Sequence, residues 1–149
     1  VVKSSMGYPD RGGELELLDR RATRTAQAPS VAPVVDLETV RALQETPESV
    51  TVERKVREYV VDLGRATRKD ERVRVGVSPR GIQRLFEAAR AYATVAGRDY
   101  VVPDDVKQVA EAVFAHRLVL TAEASVRSVS KRRVLTDVLD RVPVPSVES

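Results

Sequence analysis

The sequence predicts a mostly α-helical protein, a small helical bundle with room for no more than a minor sheet of short strands. Three observations lead there. Apolar residues recur on one helix face in three long runs: Val56, Tyr59, Val60 and Leu63; Ile82, Leu85, Phe86, Ala89, Ala93 and Ala96; then Val106, Val109, Ala110, Val113 and Phe114. Start signals precede several runs, with Asp36, Ser78 and Ser130 each offering the side-chain oxygen wanted at an N-cap. The extended pieces, around Val50, Val73 and Tyr100, are too short for more than a tiny pairing.

Length and composition fix the frame. At 149 residues the chain holds one domain with a core, or one domain plus tails. There is no cysteine, which excludes a disulfide framework and a thiolate metal site and agrees with a reducing compartment, and a single histidine makes a zinc site a poor reading. The net charge of +3 comes from acidic and basic residues interspersed, an ordinary solvated surface. No apolar run approaches a membrane span, and the N-terminus lacks the apolar stretch of a signal peptide, so the cytoplasm is the expected location. The chain opens on Val1-Val2-Lys3, with Met6 its sole methionine, and the expectation is a C-terminal piece of a longer protein.

Taken in order, Asp10 is expected to cap a short helix with Leu15, Leu18 and Ala22 on one face. Residues 23–33 read as a loop of Thr, Ala, Gln, Pro and Ser. Asp36 caps a second helix with Leu37, Val40 and Leu43 as a buried stripe, ended before Pro47. Residues 49–52 alternate like a strand or lead extended into the next helix, over residues 53–69. Residues 65–74 hold five basic and two acidic residues, a solvated loop or a phosphate-attracting one. The central helix runs from Pro79 to about Ala96, with Gly97 at C′, and the next begins at Pro103. Asp104 and Asp105 suit that helix's positive end and need no acid/base role, while His116 falls in its last turn, where a cation is favoured. Residues 121–127 read as polar connection, and Ser130 caps a final helix on Val134, Leu135, Val138 and Leu139.

The candidate site is Gly76-Val77-Ser78-Pro79-Arg80. Ser78 and Pro79 start the longest helix, and Arg80 lies in its first turn, where unpaired N–H groups and the dipole favour an anion. A phosphate beside Arg80 would resolve that conflict; a solvated surface arginine is the alternative. Catalytic equipment is otherwise missing. There is no Gly-rich loop ending in Lys-Ser/Thr, no Gly-x-Gly-x-x-Gly, and only one histidine to serve as a base.

With those residues in view, residues 73–120 resemble the C-terminal lid of the MoxR family of AAA+ ATPases. The blocks that carry the likeness are Gly76-Val77-Ser78-Pro79-Arg80, Ala88-Ala89-Arg90-Ala91, Gly97-Arg98-Asp99-Tyr100-Val101, Pro103-Asp104-Asp105-Val106 and His116-Arg117-Leu118. It extends weakly to Gly7-Tyr8-Pro9-Asp10 and to Val142-Pro143-Val144-Pro145, and is poorest over residues 20–33. The resemblance implies a hinge over residues 1–10, a helical lid over 11–122, and a C-terminal extension with the final helix over 123–149. It implies that the lid closes over ATP, as Mg-ATP, held by an upstream P-loop core in a ring, usually a hexamer. Arg80 then matches the sensor 2 arginine, which reaches the γ-phosphate, with Pro79 beside it. Tyr8, Pro9, Tyr59 and Val60 resemble the adenine wall, though each reads equally as plain core. Chaperone-like action on client proteins is the implied function.

Two departures from the family pattern stand out: Val77 and Gly81 both occupy places where alanine is usual. The P-loop, the Mg²⁺-binding acidic motif, sensor 1 and the arginine finger have no counterpart, so any ATPase activity belongs to a parent protein and this chain alone is expected to be inactive. The competing reading is a stand-alone helical interaction or nucleic-acid-binding module using the basic run at 65–74. Low aromatic content and balanced charge weigh against nucleic acid.

Overall fold

A computed structural model describes residues 2–24 and 31–146. Part of the expected loop at 23–33 lies outside the described residues. Helices α1 (Arg11–Ala22) and α2 (Leu37–Glu45) come first, followed by a 3-10 turn at Thr46–Ser49 and helix α3 (Arg54–Lys69). Strand β1 (Val73–Val75) leads into α4 (Pro79–Val95) and α5 (Pro103–Phe114). A 3-10 turn at Ala115–Arg117, strand β2 (Val119–Leu120) and helices α6 (Ala122–Val126) and α7 (Lys131–Arg141) complete the order.

The bundle is built on α4 and α5, whose mutual contact is the most extensive, with α3 and α7 packed across them. Small residues on α4 make the close approach possible: Ala89 and Ala93 are buried beside Leu85, and α5 supplies Val106, Ala110, Val113 and Phe114. Helix α7 brings Val134, Leu135 and Val138 into the same core. Gly97 ends α4 with φ at +74°, the left-handed conformation of a helix stop.

The sheet is small, as expected, and its pairing is specific. Val73 of β1 faces Leu120 of β2 and Val75 faces Val119, antiparallel with an irregularity between. Thr51 and Tyr100 make a separate parallel bridge, in which Thr51 N–H donates to Asp99 O at 2.8 Å and Val101 N–H to Thr51 O at 3.0 Å. The piece at 121–127, expected to be polar connection, instead contains α6: Thr121 Oγ1 accepts from Ala124 N–H at 3.2 Å, and Ala124 is buried.

The stripe expected to be buried on α2 is not, and the apolar face of α1 is exposed as well. Both helices are capped as expected, Asp10 accepting from Gly13 N–H and Asp36 from Thr39 N–H, each at 2.8 Å. Yet neither helix buries a residue, and Leu18, Leu37 and Leu43 are each at least 60% exposed. Capping and periodicity are local properties, whereas burial needs an opposing surface, and no other described element supplies one.

Ion pairs tie the ends of the bundle together. Asp70, 6% exposed, receives Arg72 through Nε at 2.9 Å and Nη2 at 2.8 Å, while Arg72 Nη1 reaches Asp137 on α7 at 2.6 Å. These hydrogen bonds from Arg72 hold the Asp70 carboxyl well below its usual range, at about 2. Asp105, expected only to complement a helix dipole, accepts from Val102 N–H at 2.9 Å and is gripped by both Nη atoms of Arg98.

Candidate functional site

The turn before α4 is fixed from below. Ser78 takes an extended conformation, its Oγ accepts from Gly81 N–H at 3.3 Å, and Pro79 occupies the first turn. No acidic residue lies in that turn. Arg80 follows, exposed, with no hydrogen bond or ion pair to any described residue. Its five N–H donors are therefore free for an external acceptor, and a helix N-terminus adds a field favourable to anions. That donor set fits a phosphate group.

Two other elements, α3 and the 3-10 turn at Ala115–Arg117, lie against the start of α4. Gly76 crosses α3 so closely that an added Cβ would lie 2.8 Å from Arg68 Cα and N. On the other flank, the Arg117 side chain passes the first turn of α4, its Cδ 3.2 Å from where a Gly81 Cβ would stand, and its Nε donates to Val113 O at 2.9 Å. Among the described residues neither Arg68 nor Arg117 pairs with a carboxylate.

The two departures noted in the sequence explain each other. A Cβ on Gly81 would come within 2.5 Å of Val77 Cγ1, and Val77 is fully buried. The valine fills the volume that an alanine at 81 would claim, so Gly81 costs some helix propensity but avoids overpacking.

The residues expected to form an adenine wall are separated by their burial. Tyr59 and Val60 lie in the core, each 2% exposed, whereas Tyr8 is 97% exposed and Pro9 is also in solvent. No hydrogen bond or ion pair joins Tyr8 or Pro9 to Arg80. The Tyr59 hydroxyl finds no hydrogen-bond partner among the described residues, and burial, reinforced by Asp104, pushes its pKa up. His116 departs from its expected preference for the charged form: desolvation and the adjacent Arg117 lower its pKa.

The basic run at 65–74 is not a loop. Its first residues are the last turns of α3, Arg72 is committed to Asp70 and Asp137, and Arg68 Nε is bonded to Val77 O. Sequence reasoning did not single out Thr67 or Arg68, whose partners lie nine or ten residues away. Nothing local distinguishes them from a small core residue and a surface cation.

Comparison with known proteins decides the family. Residues 65–138 match the family described as the AAA lid domain. The chain belongs to the AAA lid family. The match covers the last residues of α3, both strands, α4 and its cap, α5, α6 and most of α7, and so includes Thr67, Arg68 and the Arg80 turn. The lid is 34% identical to the protein YeaC of Bacillus subtilis over 97% of this chain and 45% of that relative. It is 36% identical to the chaperone MoxR1 of Mycobacterium tuberculosis over the whole of this chain and 41% of MoxR1. A crystal structure of a provisionally described ATPase from Cytophaga hutchinsonii superposes with a TM-score of 0.85 at 27% identity, covering 97% of the lid chain and 46% of that protein. The lid chain thus spans somewhat under half the length of each of these relatives. No helix among the described residues is long and apolar enough to cross a membrane.

Proposed function

We propose that this chain is the sensor 2 lid of a MoxR-like AAA+ ATPase, with Arg80 reaching the γ-phosphate of ATP held by a P-loop core outside these residues. The observation that carries the reading is Arg80 itself: an exposed arginine without partners among the described residues, in the first turn of a 17-residue helix that has no acid there. ATP supplies the terminal phosphate whose transfer to water drives the cycle. Arg80 supplies fixed positive charge where negative charge develops, and closure of the lid strengthens that attraction by excluding water. Tyr8 and Pro9 border the adenine at the hinge, while Tyr59 and Val60, sealed in the core, support the lid from within.

The lid works within a cytoplasmic ring, a hexamer, passing nucleotide-driven closure to a neighbouring subunit and so to chaperone-like remodelling of a client protein. The alternative of an independent module using the basic run is disfavoured because Arg72, central to that run, is already bonded to two carboxylates. The test is Arg80→Ala in a polypeptide that contains both core and lid. Turnover is expected to fall about ten- to a thousandfold, as when one donor to a transition state is removed, and unchanged turnover would reject the sensor role.

A further inference from the structure

One residue before the cap of α4, both backbone groups of Val77 are held by consecutive side chains of α3. Val77 N–H donates to Thr67 Oγ1 at 3.0 Å, and Val77 C=O accepts from Arg68 Nε at 2.7 Å. The Thr67 hydroxyl donates in turn to Gly64 O at 2.7 Å, so the lone pair facing Val77 is fixed in direction. Thr67 is fully buried, which makes the Val77 N–H dependent on it, since water cannot replace the bond. Arg68 is exposed, but its Nε lies in a rigid guanidinium plane, and a bond at that atom fixes orientation as well as distance. Gly76, pressed against the Arg68 backbone, leaves the turn no slack.

We propose that Thr67 and Arg68 are positioning residues for Arg80. Neither touches nucleotide; both act through the Val77 peptide, setting the height and direction at which the first turn of α4 presents Arg80 to a terminal phosphate. This rests on the sensor reading of Arg80. Because the contacts run to consecutive residues of one rigid helix, a shift of α3 reaches Arg80 through a single turn, and a misplacement of about 1 Å is enough to cost a charged contact most of its effect.

Titration of a polypeptide that contains both core and lid, with ATP and ADP as probes, and amide NMR on the 149-residue chain test this in the variants Thr67→Val, Thr67→Ser, Arg68→Lys and Arg80→Ala. Thr67→Val keeps the shape and removes the hydroxyl. The expected result is an ATP affinity lowered about tenfold with ADP nearly unchanged, recovery to within about twofold in Thr67→Ser, and a loss of about threefold in Arg68→Lys. Without nucleotide, the Arg80 amide order parameter should fall in Thr67→Val from a rigid value near ~0.85 and hold in Thr67→Ser. A purely structural role would lower thermal stability without changing the ATP-to-ADP ratio. Should Thr67→Val not fold, Arg68→Lys at its exposed position decides alone. Wild-type selectivity and order in Thr67→Val and Arg68→Lys, with selectivity lost in Arg80→Ala, would overturn the positioning role and leave the sensor standing. Wild-type selectivity in Arg80→Ala would overturn the sensor reading and this proposal with it.

Discussion

Helices α2 and α4 begin alike and end in different surroundings. Asp36 and Ser78 each accept a hydrogen bond from the backbone three residues on, and each helix carries an apolar stripe. In α4 the centre of that stripe is sealed, with Leu85, Ala89 and Ala93 at most 1% exposed, while Ile82 and Phe86 are half-buried and Ala96, at the C-cap, is exposed. In α2, Leu37 is 63% exposed and Leu43 60%. The cap sets where a helix starts, but the burial that stabilises it comes from a facing element, at roughly 25 cal/mol for each Å² of apolar surface removed from water. The bundle from α3 to α7 is complete in itself, and α1 and α2 present surface instead of core.

The largest expected effect that would break or sharpen this contrast is in the bundle. Leu85→Ala should cost about 2–5 kcal/mol in chemical denaturation, whereas Leu43→Ala should stay below about 0.5 kcal/mol. Equal losses would mean that α2 shares the core. Next comes the packed pair at the start of α4. Gly81→Ala should destabilise by about 1–3 kcal/mol through overlap with Val77, and Val77→Ala added to it should recover most of that loss. A double-mutant cycle that proves additive would show that the two positions do not compete for space.

A third prediction uses pH. Asp70 has a folded pKa of about 2 against an ordinary 3.8, so its contribution is complete above the ordinary value and disappears as pH falls from near 4 through 2. The shift corresponds to about 2 kcal/mol, and Asp70→Asn should flatten that part of the stability profile. The smallest effect is expected outside the bundle. Asp36→Ala should raise amide exchange within α2 and leave the melting temperature of the bundle unchanged, since the bond it removes stabilises only its own helix.

The helices were legible because their signals are local. The stripes through Val56 and Leu63, Leu85 and Ala89, and Val106 and Val113 state both the period and the buried face, and Ser78-Pro79 states where α4 begins. Strand β2 was not legible, since Val119 and Leu120 are too few to show alternation and pair only because Val73 is carried to them. Helix α6 hid in a polar stretch because it buries a single alanine. At the site, Arg80 could be read from its place in the first turn of α4. The bonds from Thr67 and Arg68 to Val77 could not, because they depend on how α3 lies beside the turn, which no local pattern encodes.

The fit of Val77 against Gly81 also makes the order of two substitutions matter. A lineage moving from alanine at both positions to the present pair could not place the valine first without forcing it against the Cβ at 81, on the helix that carries Arg80. Glycine first opens only a small void and gives up some helix propensity. Placing the glycine first is therefore the path of less strain, because it leaves room for the valine.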